Sequence, residues 1–93
     1  MIRHVVVWSM KPDAEGELDA LLGELRALPA EIAEIRGLSA GPLLNESPFA
    51  AALCVDVDDA AALERYRTHP AHQPSLRHLR AVADEIVVAD YEL

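Results

Sequence analysis

Between residues 66 and 72 the chain reads Y-R-T-H-P-A-H, placing a phenol and two imidazoles, Tyr66, His69 and His72, within one short stretch. Imidazole, with an ordinary pKa near 6.5, takes up and returns a proton close to neutrality, while a phenol keeps its proton and donates it in a hydrogen bond. Removing a proton flanked by two carbonyls needs that pair: a base for the proton and a donor for the enolate oxygen that forms. The stretch therefore nominates His72 as general base and Tyr66 as acid or oxyanion donor, a chemistry that requires no cofactor. The competing reading is structural. In it His72 bonds a backbone group at the turn, and Tyr66 fills the core with its hydroxyl satisfied.

The elements that must position these groups are legible around them. His69 precedes Pro70, and a residue before proline is pushed out of the α region, so a helix capped by Asp58 or Asp59 and running through Ala62, Leu63 and Tyr66 should stop near Thr68. Pro70 suits the opening of a second helix. Pro74 either sits in its first turn or delays its start to about Ser75. Counted from Ala71, His72, Leu76, Leu79 and Ala83 share one stripe directed inward, and His78 falls on the wet side.

Upstream, Ile2–Met10 reads as a strand, with Ile2, His4, Val6, Trp8 and Met10 on one face and Arg3, Val5, Val7 and Ser9 on the other. Asp13 is the expected N-cap of a helix whose Leu18, Leu21, Leu22, Leu25 and Leu28 repeat at helical spacing; its glutamates read as a solvated face. Pro29 ends that helix, and Ile32 tucks inward from the turn that follows. A second strand is expected over Ile35–Ala40. Gly41–Pro48 reads as a loop whose Leu43 and Leu44 pack over something, Phe49–Asp56 as a third strand, and Glu85–Leu93 as the last. The order β-α-β-β-α-β is the ferredoxin-like split βαβ arrangement, an α+β fold with a four-stranded antiparallel sheet.

Ninety-three residues with 52% apolar content make one small globular domain, residues 1–93. The net charge of −8 repels phosphate backbones and anionic membrane surfaces, so neither nucleic acid nor membrane is an expected partner. A lone cysteine, Cys54, precludes an internal disulfide and reads as an inert buried thiol. No apolar run approaches the length of a membrane span, and no signal peptide is recognisable at Met1, so the expected location is the cytoplasm. His69 and His72 stand three apart, a spacing metals use, but no acidic or cysteine companion lies at ligand spacing and no metal is expected.

The strands are apolar on both faces, whereas the split βαβ arrangement leaves one sheet face bare. That face must meet something, and the simplest partner is a second copy joined across a two-fold axis. The expectation is a homodimer through the open sheet face, with a cavity between or beside the packed sheets. His4, Trp8 and His69 are the candidates to contact a small apolar or aromatic ligand there.

The opening I-R-H-V-V-V-W, the helix end L-R-A-L-P, the segment R-Y-R-T-H-P-A-H and the closing V-V-A-D-Y-E together resemble the stress-responsive dimeric α/β-barrel (Dabb) family over essentially the whole chain, including its olivetolic acid cyclase-like members. The resemblance implies a dimeric α/β barrel built from ferredoxin-like halves. The best understood activity in that family is a cofactor-free polyketide cyclization by intramolecular aldol condensation, using a Tyr and a His spaced as Tyr66 and His72 are here. His4 matches a further histidine near that pocket. The His-Pro-x-His turn also recurs in members with no known reaction. Three functions follow as expectations: a cofactor-free cyclase or isomerase, a non-catalytic homodimeric ligand-binding or stress-response protein, and a cofactor-independent monooxygenase of the related dimeric-barrel type.

Overall fold

The computed structural model describes all residues from Met1 to Leu93. Its first strand, β1 (Ile2–Met10), is β-branched and apolar on both sides because it lies inside the sheet, paired antiparallel with a strand on each edge. The remaining strands are β2 (Gly37–Pro42), β3 (Ala51–Val57) and β4 (Ala83–Glu92), in the order β2-β3-β1-β4, every pairing antiparallel. Three helices, α1 (Leu18–Arg26), α2 (Ala60–Thr68) and α3 (Gln73–Val82), complete the ferredoxin-like α+β arrangement.

Burial alternates along β1, with His4, Val6 and Trp8 buried and the residues between them half-buried, so the first set faces the helices. β3 repeats the pattern with Ala51, Leu53, Val55 and Val57. Against these pack Leu21, Leu22 and Leu25 of α1, Leu28 and Ile32 beyond it, and Ala62, Leu63 and Tyr66 of α2. Trp8 and Tyr66 are the largest fully buried side chains, and both belong to this one core.

Several boundaries differ from the sequence expectation, each for a local reason. Asp13 does not cap the first helix. Pro12 opens a 3-10 turn over Pro12–Glu17, which makes Lys11 the cap residue and leaves Asp13 inside the turn. β2 and β3 lie about two residues later than expected. Ile35 is still held in the preceding turn by its N–H to Ile32 O at 3.3 Å, and Gly41 and Pro42 continue the ladder opposite Ala52 and Ala51. Proline is tolerated there because β2 is an edge strand. Arg26 locks this edge to the end of α1, donating through Nε and Nη2 to Ala40 O at 3.0 and 2.7 Å. Leu44 packs over nothing and is 99% exposed.

Pro74 lies in the first turn of α3, which therefore begins at Gln73 rather than at Ser75. The buried stripe of α3 is Ser75, Leu79 and Val82, following His72 in the turn before it, and β4 begins at Ala83. Leu76 is half-buried at one side of that stripe, and Ala83 belongs to the sheet. His78 is not free in water. Its Nδ1 lies 2.7 Å from Glu24 Oε2 of α1, so that glutamate joins the two helices rather than only facing solvent.

The sheet face away from the helices carries Val5, Val7, Ala52 and Cys54, all half-buried, and one fork between Arg3 and Asp56 at 2.8 and 2.9 Å. Cys54 is thus on the open face rather than in the core. β4 is the outer strand of this sheet, and Ile86, Val87, Val88 and Tyr91 are between 38% and 54% exposed. No helix is long and apolar enough to cross a membrane.

Asp59, not Asp58, caps α2: its Oδ1 accepts from Ala62 N at 2.8 Å, while Asp58 pairs with Arg36 at the surface. Asp59→Ala should lower stability by about 1 kcal/mol. Asp58→Ala should have the smaller effect, because exposed ion pairs contribute little. Urea unfolding at one protein concentration checks the order.

Candidate functional site

Tyr66 occupies the last turn of α2, on the side that carries Ala62 and Leu63 into the core. The chain then breaks at His69-Pro70, where His69 takes extended geometry (φ −61°, ψ 132°) and its Nδ1 accepts from Ala71 N at 3.1 Å. This compact turn returns His72 directly onto the phenol. The two rings stack with centroids 4.6 Å apart and planes inclined by 26°. From the sheet, His4 meets the same phenol edge-on, centroids 5.9 Å apart and planes at 64°.

Each imidazole has one nitrogen engaged. His4 Nδ1–H donates to Asp90 Oδ1 at 2.5 Å, across the β1–β4 register that sets these two residues opposite one another. Ser75 Oγ donates its single proton to His72 O at 3.0 Å and lies 3.3 Å from His72 Nδ1. With that hydroxyl proton committed, Ser75 is left as an acceptor, so the proton of His72 belongs on Nδ1 and the lone pair on Nε2. Ser75 and Asp90 thus orient the two rings, a role that carboxylates and hydroxyls perform for histidines in catalytic sites.

A cleft of about 520 Å³ opens between the helices and the β1–β4 part of the sheet. His4, Tyr66 and His72 line it together with Val6, Leu53, Leu79, Ile86 and Val88. Its volume lies within the usual range for small-molecule sites, and its walls are largely apolar with a few polar groups. The chamber is therefore on the helix side of the sheet, not between two open faces.

Burial sets the protonation states. Desolvation, reinforced by the positive fields of His4, Arg80 and His69, pushes the His72 pKa down to about 4. Desolvation alone pushes Tyr66 up to about 12, so its hydroxyl keeps its proton near neutrality and has it available to donate. That hydroxyl is buried and has no hydrogen-bond partner within the protein. Leaving it so costs on the order of 1–3 kcal/mol. The indole N–H of Trp8 is also unpaired, but Trp8 lies outside the cleft lining.

Of the residues singled out from the sequence, the fold brings together Tyr66, His72 and His4. It does not bring Trp8, which is fully buried in the core, or His69, whose ring nitrogen is spent on its own turn. No group of three or more His, Cys, Asp or Glu side chains is placed to hold a metal ion. Sequence reasoning passed over Ser75 and Asp90. Asp90 was accessible by pairing β1 with β4 antiparallel, which sets the D of V-x-D-Y beside His4. Ser75 carried no signal until Pro74 was known to lie inside α3.

A family model described as the stress-responsive A/B barrel domain matches residues 2–93. An uncharacterized protein of Streptomyces coelicolor is 35% identical over 97 aligned residues, covering 99% of both chains. Among solved structures, a dimeric protein of unknown function and ferredoxin-like fold from Bacteroides fragilis superposes with a TM-score of 0.89 at 26% identity, covering 99% of this chain and 95% of that one. Hydroxynitrile lyase from Passiflora edulis shares the fold at 17% identity, with a TM-score of 0.88 and coverage of 99% and 92%.

The depressed His72 pKa makes a signed prediction for stability. Between about 4 and 6.5 the unfolded chain binds a proton at this residue that the folded chain does not, so stability rises with pH across that window. Lowering the pH from 7 to 4.5 should cost about 2 kcal/mol from this group, after allowing for solvent at the cleft mouth. Urea midpoints across the window should fall in the native protein and fall less in His72→Leu; parallel curves would contradict the assignment.

Proposed function

The chain belongs to the stress-responsive A/B barrel domain family, and from that premise we propose that it is a cofactor-free acid–base catalyst of the cyclase or isomerase type. His72 Nε2 is the base, Tyr66 Oη the donor to the developing oxyanion, and His4, held by Asp90, a second polar wall. One observation carries the reading: a buried, protonated and unpartnered hydroxyl lies stacked against a neutral imidazole in a largely apolar cleft. A ligand carbonyl oxygen is the partner that hydroxyl lacks. As an enolate forms on that oxygen, its bond to Tyr66 strengthens, which is the differential binding that lowers a barrier.

An imidazole whose conjugate acid sits near 4 is a weak base toward water, but the relevant proton acceptor is the one in the closed complex. There the imidazolium forms beside the enolate it has just created, and in a water-poor site those opposite charges stabilise one another. Expelling water also protects the enolate from quenching before a ring closes or a bond migrates. The Passiflora enzyme shares only the fold, yet its activity as a hydroxynitrile lyase is consistent with proton-transfer chemistry on this architecture.

The chain acts as a homodimer joined through the open sheet face. Val5, Val7 and Ala52 there are half-buried apolar groups with no covering layer, and an outer strand as long and apolar as β4 is ordinarily paired or covered. The related Bacteroides protein is described as dimeric.

Two outcomes follow. In D₂O, the protein should accelerate exchange of the α-protons of aryl ketones and 1,3-diketones, read by NMR as loss of those signals. His72→Ala should lower the rate by about 10²–10⁴-fold and Tyr66→Phe by about 10²-fold or more; an undiminished rate in His72→Ala would remove that residue from the mechanism. Sedimentation should return twice the 10.1 kDa chain mass, and Val7→Lys should move it toward a single chain. A native protein that sediments as one chain at micromolar concentration would rule out the pairing.

A further inference from the structure

We propose that the mouth of the cleft is a carboxylate-recognition site, in which Arg67 and Arg80 take the anionic end of a ligand whose apolar body lies against Leu79, Ile86 and Val88. The proposal rests on the reading of the cleft as a ligand site and adds the chemical class of what enters it: an amphipathic organic acid rather than a neutral or cationic molecule.

The charge inventory points there. The chain has eight lysines and arginines against sixteen carboxylates, so partners for cations are abundant. Arg3, Arg36 and Arg65 pair with Asp56, Asp58 and Glu34. Lys11 and Arg26 donate to the carbonyls of Ala81 and Ala40. That leaves Arg67, Arg77 and Arg80 without a bond to any protein acceptor, and Arg67 and Arg80 both line the cleft while Arg77 does not. In an acidic molecule, two of the three arginines with no protein partner line one opening.

The placement favours an anion further. Glu64 is the only acidic residue lining the cleft, and it stands three residues before Arg67 on α2, a spacing at which helical ion pairs form. No such pair is made. With Glu64 counted against Arg67 and Arg80, the mouth carries +1 while the whole chain carries −8. Long-range repulsion would keep anions away, so a local pair of guanidinium forks at the entrance is what admits one. The forks match a carboxylate bidentately. The backbone that carries Arg67 is fixed: Gln73 Nε2 donates to the Arg67 carbonyl at 3.2 Å, tying the end of α2 to the start of α3 beside the opening. A neutral ligand has no use for two unpaired cations at its point of entry, and a cationic one is repelled by them.

The test compares 4-phenylbutyrate with its primary amide, titrated into the ¹⁵N-labelled full chain at low ionic strength. Shifts at the amides of Val6, Leu79 and Ile86 report occupancy of the cleft by either compound. The acid should bind roughly tenfold more tightly than the amide, and the preference should shrink as salt is added. In the Arg67→Gln/Arg80→Gln double variant the preference should vanish while amide binding persists, which also shows that the cleft is intact. Arg77→Gln should leave the preference unchanged. Equal binding of acid and amide by the native protein would overturn the proposal and leave the cleft reading standing. A preference that survives the double variant, or that Arg77→Gln abolishes, would overturn it too. If neither compound perturbs the cleft, both readings fall.

Discussion

The removal of water from the face between His72 and Tyr66 is the constraint on which the rest of this structure depends. An imidazole and a phenol stacked 4.6 Å apart in the core cannot be solvated as they would be at the surface, so each is driven toward its neutral form. The protein then has a base without its proton and a donor with one, side by side. The cost is visible in the unpaired Tyr66 hydroxyl, a polar group that folding leaves without a partner. A small domain with little stability to spare bears that expense at Tyr66.

Everything around that pair is arranged to hold it. The His69-Pro70 turn has two effects at once: proline ends α2, and the short 3-10 segment that follows swings His72 back onto the residue six positions earlier. His69 spends its ring nitrogen on that turn, which explains why a histidine so close in sequence is absent from the cleft. The sheet contributes from the other side, where β1 and β4 set His4 and Asp90 in register. His72 is thus positioned by helix and turn, His4 by strand pairing, and the phenol sits between two independent supports.

The same arrangement leaves two surfaces uncommitted. One is the open sheet face, where apolar side chains alternate with a single Arg3–Asp56 fork. The other is the cleft mouth, with its two unpaired guanidinium groups. They lie on opposite sides of the sheet, so pairing through one does not close the other. A dimer built on the open face would keep both clefts reachable, and the exposed outer edge of β4 would lie between the two functions.

The order of elements was legible in the sequence because alternation and helical spacing record burial directly: β1 is read correctly to the residue, and α2 to its final turn. The identity of the central pair was legible too, since a proline-set turn between Tyr66 and His72 limits where their rings can go. The boundaries of β2 and β3 were not, because a glycine and a proline that signal a loop are acceptable on an edge strand, and edge position is a property of the sheet. Asp90, Ser75 and the two arginines of the cleft mouth were equally hidden. Each owes its role to a partner far along the chain, or to the absence of one, and no local pattern records which acceptors the folded molecule brings within reach. The sequence by itself determined the elements, the fold class and a phenol–imidazole pair aimed inward. Only the tertiary structure decided that the chamber opens on the helix side of the sheet, which nitrogen of His72 lies beside Ser75, and which cations line the cleft, because those follow from distances between segments that only packing brings together.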